Sequence, residues 1–584
     1  MILLDYCILI GFMVWLLVIG AIFSRQVKSS ADMYSAGSES PWWIAGLSGF
    51  MTIFSAGTFV MWGGIAFNSG LVATSLLMVT GLSAVAVGFN VAGRWRTMGI
   101  ATPTEYHRIR FNERVVQAYT WLGFLFRGIG LAVGFYALAK MLSALVPLPE
   151  GAPFRDPATG NLSEVWSTLI WGAVVIAYTM AGGLWAVMMT DVIQCIVLCL
   201  LVLITVPLAL SKIGGFDVLW EQAPENFFSP VSSEFPYEYL LLWFLLGFFR
   251  YAADWAFVQR YTCVPTPQDA RKTAYLMGGL YVISPFLWML PAMAYRLVDP
   301  EADKEQAYVY MCQAVLPAGM LGIMMAAMFS ATASMVSSIL NVFAAVFTCD
   351  VYRPWVNPQA SESQLVWVGR LATLLYGALI VGLALLVPHL GGAKAVVIPL
   401  VTVMMGPMYL PVIWGLYSKY ISAKAVWATL GTCAVVSGTI KLTLMQDSLP
   451  SVLSGTPVAT ALEWMADNVR MTDALLGLAL PVGVLLVMEL VGRRRGVDAG
   501  YQRMQQALDS HQQRPITKAK SKLPLLIIAA TLTMLGVVMG IIASWTSEDR
   551  TTVVVFAALL LAVAAGVGWY ARKPPKQTDQ QLPT

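Results

Sequence analysis

Charged residues are scarce in this chain. Asp, Glu, Lys and Arg make up 12% of its 584 residues, whereas 58% are hydrophobic, and an average soluble domain carries about 25% charged residues. So few charges cannot cover the surface of a soluble protein of this length. This composition excludes a water-soluble enzyme and a disordered or nucleic-acid-binding chain, so no nucleic-acid partner is predicted.

Several chemical motifs are also absent. The phosphate-binding pattern G-x-x-x-x-G-K-[ST] occurs nowhere, so the chain is predicted to have no ATP-driven motor. The seven cysteines contain no CxxC pair, which indicates neither a disulfide framework nor a metal site. A membrane-embedded enzyme would need a buried His, Cys or metal constellation, and the three histidines form none. The chain is therefore predicted not to be an enzyme.

The apolar residues fall in long blocks. About fifteen of these blocks have lengths near the 20 residues that cross a hydrocarbon core of about 30 Å, whereas an outer-membrane barrel shows alternating segments of about 10 residues. The blocks are 5–23, 42–68, 71–93, 116–146, 164–183, 186–211, 238–260, 274–296, 312–347, 366–389, 395–418, 424–445, 472–493, 523–545 and 552–571. The block 312–347 is long for one span, so a short extra helix is expected at its start. The pattern predicts an all-α, polytopic membrane protein.

The loops between these blocks alternate in charge. Basic residues dominate the loop 94–115 and the segment 493–522, whereas the loops 212–237, 297–308 and 446–471 are mostly acidic. Basic loops stay in the cytoplasm. We therefore predict a multi-pass protein of the cell inner (plasma) membrane, with its N-terminus outside and its C-terminus in the cytoplasm.

Four charged residues lie inside apolar blocks, where a charge costs about 2.5–3.5 kcal/mol or more. Asp191 is either part of a cation or proton site or a carboxylate at a helix end facing water. Arg127 is either a ligand for an anionic solute or a structural residue bound to backbone carbonyls. Arg250 and Asp254 are four residues apart and can neutralise each other on one helix face, and Asp254 is also placed to meet a polar solute.

Hydroxyl side chains cluster in two blocks. The block 42–68 holds several Ser and Thr residues, and in the block 312–347 Ser334, Ser337 and Ser338 share one helix face. Hydroxyls and the carbonyls of an unwound helix bind sodium in transporters. The other interpretation is that these small residues only permit close helix packing.

Four stretches, in their order and spacing, resemble the sodium:solute symporter family from Asp5 to about residue 445. They are Asp5-Tyr6 through Pro41-Trp42-Trp43 to Phe54-Ser55-Ala56, then Gly182-Gly183-Leu184 to Asp191-Val192-Ile193-Gln194, then Val258-Gln259-Arg260, and finally Leu316-Pro317-Ala318-Gly319 through the serines to Asp350-Val351-Tyr352-Arg353-Pro354. This resemblance implies a LeuT-type fold, in which two five-helix repeats have inverted topology. One extra transmembrane helix precedes this core and about four follow it.

The resemblance also implies segment boundaries. They are an N-terminal extra helix within 1–30, the first repeat in 40–211, the second in 237–419, additional helices in 423–495, a cytoplasmic linker at 496–522, a transmembrane hairpin in 523–572 and a cytoplasmic tail at 573–584. The first helix of each repeat is expected to be unwound, near Phe54–Gly57 and near Tyr251–Asp254, because such carriers bind solute at broken helices.

Sodium is the coupling ion that the resemblance implies. One site would use the carbonyls of Met51, Phe54 and Ala331 with the Ser334 hydroxyl. That site is weakened because Met335 stands where the family has a second Ser or Thr, and a thioether is a poor sodium ligand. A second ligand set is complete and is expected to be the main one, with Asp191 as the coupling carboxylate. Its members are Asp191, Ser334, Ser337 and Ser338.

The implied solute pocket involves residues of the tenth core helix together with Ser55, Thr58, Arg127, Asp254 and Trp255. Ser55 and Thr58 match solute-facing positions of sialic-acid carriers, but Leu77 stands where those carriers use Gln. Sugar carriers have a Gln at the position of Thr58. The intramembrane arginines favour a carboxylate-bearing or acidic-sugar solute.

The predicted function is sodium-coupled symport that imports a small polar organic solute, such as a sugar, sugar acid or other carboxylate, by alternating access. The alternatives are a membrane sensor or receptor that retains the fold, and a channel. Sensor relatives carry a long cytoplasmic signalling extension, whereas this chain has a short basic tail. The predicted partners are the solute, sodium ions and the lipid bilayer, and no oligomeric state is predicted.

Overall fold

The structure, a computed structural model, describes residues 3–24, 40–100, 103–179, 184–353, 356–444, 456–511, 523–545 and 550–572. Within this part the chain is helical, and its only β-type pairings are two isolated bridges in the loop 144–163. Several predicted features lie outside the described residues. They are the Gly182-Gly183 break, residues 25–30 of the first segment, residues 512–522 of the linker and the tail 573–584.

The helices begin and end as follows. Up to residue 262 they are α1 Leu3–Ser24, α2 Trp42–Met51, α3 Gly63–Ser69, α4 Leu71–Asn90, α5 Ala92–Thr97, α6 Pro103–Arg110, α7 Glu113–Ser143, α8 Glu164–Thr179, α9 Leu184–Ile213, α10 Phe216–Gln222, α11 Tyr237–Ala253 and α12 Trp255–Thr262. After it they are α13 Pro267–Ile283, α14 Pro285–Val298, α15 Ala307–Val315, α16 Met320–Val346, α17 Glu362–Ala384, α18 Gly392–Tyr417, α19 Ala423–Leu444, α20 Pro457–Asp467, α21 Val469–Arg495, α22 Ala499–His511, α23 Leu523–Trp545 and α24 Arg550–Arg572.

Each predicted span coincides with a helical stretch. In the described residues, 11 stretches are long and apolar enough to cross a membrane, or 12 if the bent pair α11 and α12 is one span. The other predicted spans correspond to α1, to the interrupted pair α2 and α3, and to the shorter helix α8. The extra helix expected at the start of 312–347 is confirmed as α15, which is separate from α16.

Two helices are interrupted where the resemblance implied. α2 ends at Met51, residues 52–55 are non-helical, and the π-helical turn Thr58–Trp62 leads into α3. The second interruption is at Asp254, whose extended backbone (φ −66°, ψ 129°) separates α11 from α12. These two helices meet at a bend of 54°. Backbone groups freed at such breaks are available to ligands inside the membrane.

The first helix caps the long helix α16. Asp5 Oδ1 accepts hydrogen bonds from the Gly319 amide at 2.8 Å and the Gly322 amide at 3.1 Å. Gly319 has a φ of +85°, a conformation that glycine adopts without a steric penalty. A carboxylate at a helix N-terminus satisfies unpaired amides and complements the helix dipole. Asp5 therefore has a structural role, in which α1 is attached to the core.

Two glycines permit a close crossing of α18 and α21. A Cβ on Gly406 would lie 1.5 Å from the Gly477 carbonyl oxygen, and a Cβ on Gly477 would lie 1.6 Å from the Thr402 carbonyl oxygen. Small residues at membrane helix contacts let backbones approach and pack. This crossing attaches the helices that follow the second repeat to the core.

Contacts between loops show which loops lie together at one end of the bundle. The guanidinium of Arg110, fully buried, donates to Asp498 Oδ2 at 2.9 Å and to the carbonyls of Gly415, Ser418 and Ile421 at 2.8–3.0 Å. The 94–115 loop therefore meets the loop after α18 and the start of the 496–522 segment. The 94–115 loop and the 496–522 segment both belong to the predicted basic side.

The loops of the predicted acidic side also meet each other. Glu234 forms ion pairs with Lys394 at 2.7 Å and with Arg470 at 3.0 Å. Partial burial raises the pKa of Glu234, but the hydrogen bonds and charges of Lys394 and Arg470 outweigh it, so this pKa lies below its usual value. Both sets of contacts agree with the alternation of sides that the loop charges predict.

The linker segment contains the helix α22, which packs beside α6. Replacing Arg110 with lysine is expected to release α22, because a lysine ammonium cannot reproduce the four divergent hydrogen bonds of the guanidinium. The measurement is the rate of trypsin cleavage after Arg503, an exposed residue of α22, which we expect to rise at least about tenfold for a loss of 1.4 kcal/mol or more. The matched control is Arg108→Lys in the same helix, whose ion pair with Glu113 is half-exposed. Equal cleavage rates in the two variants would contradict this role of Arg110.

Candidate functional site

A cavity of about 410 Å³ lies between the two interrupted helices. All five residues predicted to bind solute line it, as do three of the residues predicted to bind sodium, Met51, Asp191 and Ser334. Its volume lies within the range of about 300–1,000 Å³ typical of small-molecule sites. The two predicted sites are therefore adjacent parts of one cavity.

Asp254 organises the solute part of the cavity. Its Oδ1 accepts hydrogen bonds from Arg127 Nη2 and from the Ala256 amide, both at 2.9 Å, and its Oδ2 accepts one from Tyr409 Oη at 2.5 Å. The carboxylate thus caps α12 and connects this helix to α7 and α18. It is 7% exposed, and a buried ion pair needs this degree of hydrogen bonding to offset the loss of hydration.

The expected pairing of Arg250 with Asp254 is not observed. The i,i+4 rule assumes a continuous helix, but the helix ends at Ala253 and the carboxylate turns to Arg127 and to the N-terminus of α12. Arg127 accordingly has a carboxylate partner, and the carbonyl interpretation of this residue is not needed. Its guanidinium also lies over the Trp255 ring, 5.5 Å from the ring centroid.

Two hydroxyls of the first break face the same cavity. Thr58 Oγ1 accepts a hydrogen bond from the Ser55 amide at 3.3 Å, and Ser55 Oγ accepts one from the Gly57 amide at 3.2 Å. A hydroxyl that accepts from the backbone still has its own proton to donate. Ser55 and Thr58 therefore each keep a hydroxyl proton that they can donate to another group in the cavity.

Asp191 lies where three helices meet. Its Oδ2 accepts a hydrogen bond from Ser48 Oγ and its Oδ1 accepts one from Ser334 Oγ, both at 2.7 Å. The side chain is 3% exposed, so the interpretation as a water-facing carboxylate is wrong. Hydroxyl oxygens around a carboxylate form a hard-oxygen environment of the kind that sodium prefers.

Arg260 neutralises Asp191 in this structure. Its Nη2 lies 3.8 Å from Asp191 Oδ2, and Ser48 Oγ bridges the pair, accepting from Arg260 Nε at 3.3 Å and Nη2 at 3.2 Å. At 3.8 Å the guanidinium and the carboxylate form no direct hydrogen bond. The Ser48 hydroxyl therefore connects the two charges. A cation that reaches Asp191 would compete with this guanidinium for the same carboxylate.

The other residues predicted to bind sodium, apart from Asp191 and Ser334, have the following surroundings. The Met51 carbonyl accepts from the Phe54 amide at 3.0 Å, and the Phe54 ring packs edge-on against Trp288 with centroids 4.2 Å apart. Ser337 Oγ donates to the Ser334 carbonyl at 3.1 Å. Ala331 is buried in α16. The backbone of Ser338 continues the same helix, but its side chain lies outside the described part.

A second polar contact joins α9 and α16 beside Asp191. The Gln194 side-chain amide donates to Ser330 Oγ, and Gln194 Oε1 is buried without a hydrogen-bond partner in the described residues. Gln194 follows Asp191 by one turn, as Ser330 precedes Ser334 by one turn. The α9–α16 contact is therefore polar over at least two turns.

Sequence reasoning missed two residues that contact Asp191. Ser48 lies among apolar residues of α2, and only its place in the hydroxyl-containing block 42–68 distinguishes it. Arg260 was part of the Val258-Gln259-Arg260 stretch but was not counted among the intramembrane charges. Tyr409 belongs to the tenth core helix that was expected to border the solute, although no sequence signal distinguishes it from other buried aromatic residues.

Comparison with known proteins identifies the family of the chain. Residues 33–431 match the sodium:solute symporter family. The chain is 28% identical over 462 residues to the sodium/glucose cotransporter of Vibrio parahaemolyticus, which covers 72% of this chain and 81% of that protein. It is 26% identical over 396 residues to the sodium/sialic acid symporter NanT of Aliivibrio fischeri, covering 64% of this chain and 75% of that protein.

A solved structure shares the fold. The substrate-bound, outward-open state of a Na⁺-coupled sialic acid symporter superposes with a TM-score of 0.64 and 20% sequence identity, covering 85% of this chain and 98% of that chain. The predicted all-α fold with a LeuT-type inverted-repeat core is thereby confirmed. The chain therefore belongs to the sodium:solute symporter family, and it is a multi-pass membrane transporter rather than an enzyme.

Proposed function

We propose that the protein imports a small polar organic solute, such as a sugar, sugar acid or other carboxylate, together with sodium by alternating access. The observation that supports this most strongly is the single cavity that Asp191 and Ser334 share with Ser55, Thr58, Arg127, Asp254 and Trp255. Ligands bound side by side in one cavity can affect each other's affinity, which is the thermodynamic requirement for coupling.

In the solute part, each side chain has a proposed role. Ser55 and Thr58 donate hydrogen bonds, and Trp255 provides an aromatic face. Arg127 and Asp254 hold the second interrupted helix against α7 and border the polar end of the solute. A closed hydrogen-bonded pair of this kind positions its neighbours better than a mobile charge does.

In the sodium part, Asp191 is the proposed coupling carboxylate, with Ser334, Ser337 and Ser338 as further ligands. The site formed by the Met51, Phe54 and Ala331 carbonyls and Ser334 is proposed to be the weaker one. Met335, which lines the cavity, brings a soft thioether where a hard oxygen would bind sodium better.

A physical connection links the two parts. Asp191 contacts α2 through Ser48 and α16 through Ser334, and Thr332 Oγ1 of α16 accepts a hydrogen bond from the Ala56 amide at 3.0 Å. Sodium at Asp191 would bring these helices together and would thereby fix the Ser55–Thr58 segment. This ordering would favour solute binding in the sodium-loaded state.

We infer that the cavity is open towards the cytoplasm in this structure. Thr104 and Arg108 of α6, on the predicted cytoplasmic side, line the cavity. On the other side, Lys140 forms ion pairs with Asp303 at 2.9 Å and Glu164 at 3.2 Å. Glu305 accepts hydrogen bonds from Tyr136 at 2.6 Å and from the Ala393 amide at 3.0 Å. These contacts close the predicted outer side.

Uptake into proteoliposomes tests the proposal. The full chain is reconstituted, and labelled hexoses and hexuronates are offered with an inward sodium gradient, an equal potassium gradient, or sodium with an ionophore. We expect one solute to accumulate above its external concentration only with the sodium gradient. Binding without any flux would favour the sensor, and flux that never exceeds equilibrium would favour a channel. Either result would contradict symport.

A further inference from the structure

The cavity carries a charge that no ion pair among the described residues balances. The described residues that line it include six charged side chains, Arg108, Arg127, Asp191, Arg250, Asp254 and Arg260. Ion pairs account for five of them: Arg127 with Asp254, Arg260 with Asp191, and Arg108 with Glu113 at the cytoplasmic opening. Arg250 is the remaining one.

The guanidinium of Arg250 has no partner among the described residues. Its Nε is buried and makes no hydrogen bond, and no described carboxylate lies within ion-pair distance. Asp254 does not compensate it, because both carboxylate oxygens already accept hydrogen bonds from Arg127, Ala256 and Tyr409. Arg250 is half-buried, with its Nε shielded from water. A guanidinium partly removed from water with no counter-ion beside it is costly, so its retention calls for an anionic ligand.

We propose that Arg250 binds the carboxylate of the transported solute, which makes the solute a small monocarboxylate with hydroxyl groups, such as a sugar acid. This inference rests on the proposed symport function. The planar guanidinium matches a carboxylate in a two-point contact, and one carboxylate balances the one guanidinium of the cavity that has no ion-pair partner among the described residues. Ser55 and Thr58 remain available to the hydroxyl groups.

Arg127 and Arg250 have different proposed roles because their contacts differ. Arg127 is bound to Asp254 and lies over the Trp255 ring, so it is a positioning residue. Arg250 is the cation that remains for the ligand. An anionic solute thus supplies the counter-ion of Arg250 when it binds. A neutral sugar would leave the charge of Arg250 without a counter-ion.

Two probes of nearly the same size and shape that differ in charge test this inference. D-glucuronate and D-glucuronamide, with D-galacturonate, D-gluconate and D-glucose for comparison, are titrated onto the purified full chain in saturating sodium, and thermal stabilisation gives each apparent Kd. We expect at least one acid to bind about 10- to 100-fold more tightly than its uncharged counterpart, the range expected for charge-assisted hydrogen bonds. In Arg250→Gln this preference should disappear, and Arg250→Lys should retain part of it.

The readout is a ratio of affinities measured on one protein, so reduced stability of a variant does not change its meaning. The matched control is Lys272→Gln, which removes an exposed cation outside the cavity and should keep the wild-type ratio. Equal binding of the acid and the amide to the wild type would overturn the inference. An unchanged ratio of acid to amide affinity in Arg250→Gln would also overturn it, as would thermal stabilisation by sodium chloride alone that equals the stabilisation by the acid. In each of these cases the proposed symport function would still stand if some solute bound only in the presence of sodium. If no solute bound in a sodium-dependent way, the symport function itself would be rejected.

Discussion

Replacing Asp191 with asparagine is expected to abolish sodium-stimulated uptake. Asp191 and Asp254 are the two carboxylates among the described residues that line the cavity, and Asp254 is fully engaged with Arg127, Tyr409 and the α12 amide. Without the Asp191 charge, sodium would lose its one anionic ligand and would meet the positive Arg260 instead. We expect the apparent sodium affinity to fall about 100-fold or more, equivalent to roughly 3 kcal/mol.

Two further variants separate coupling from folding. In Asp191→Asn the uncompensated Arg260 also destabilises the fold, because an unpaired buried charge costs about 3–5 kcal/mol. The double variant Asp191→Asn with Arg260→Gln removes both charges and should recover stability without recovering sodium stimulation. Asp473→Asn is the matched control, since Asp473 is buried and paired with Lys441 in helices that follow the core. Normal sodium stimulation in Asp191→Asn would show that the coupling site lies elsewhere.

The ion pair between Arg127 and Asp254 should give the second large effect, this time on stability. Asp254→Asn leaves Arg127 without its counter-ion and next to Arg250, which has no ion-pair partner among the described residues, so we expect it to lower the free energy of unfolding by about 3–5 kcal/mol. Arg127→Gln should cost less, because Arg250 can then neutralise the carboxylate that remains. This asymmetry is expected only where one carboxylate, that of Asp254, has two arginines near it.

A double-mutant cycle measured by unfolding in a denaturing detergent checks this order. The double variant Arg127→Gln with Asp254→Asn should be more stable than Asp254→Asn alone, which indicates strong coupling between the two sites. Tyr409→Phe is the control, since it removes one hydrogen bond to Asp254 and should cost about 1–3 kcal/mol. Additive effects of the two single variants would mean that the ion pair does not stabilise the protein.

Local sequence patterns predicted much of this fold because membrane helices carry strong local signals. Apolar blocks placed each span, and loop charges sorted the loops into two groups that the contacts of Arg110 and Glu234 reproduce. Both helix breaks were predicted, but from the family resemblance. Hydroxyl content alone would have left Ser55 and Thr58 as packing residues.

The pairings inside the cavity were harder to predict because they join residues far apart in the chain. Ser48 and Asp191 are separated by 143 positions, as are Asp191 and Ser334, and no periodicity links them. The pairing of Arg250 with Asp254 was wrong for a different reason. The spacing argument needs a continuous helix, and the break expected near Tyr251–Asp254 removes that condition, so the two expectations were in conflict.

The 496–522 segment shows the same limit of local patterns. Its polar composition predicted a solvated linker, and about half of the described side chains of α22 are exposed. The attachment of this segment to the core depends on Asp498, which meets Arg110 across 388 positions of sequence. A charged residue in a polar stretch gives no local sign of such a contact.

The most direct test of sodium coupling is the affinity for the transported solute, measured on the purified protein by thermal stabilisation at saturating sodium and in potassium alone. If sodium at Asp191 orders the Ser55–Thr58 segment, sodium should tighten solute binding about 5- to 150-fold, the usual range of coupling between sites. The solute should then tighten sodium binding by the same factor, and Asp191→Asn should remove the effect in both directions. Equal solute affinity in sodium and potassium would contradict a sodium-coupled symporter.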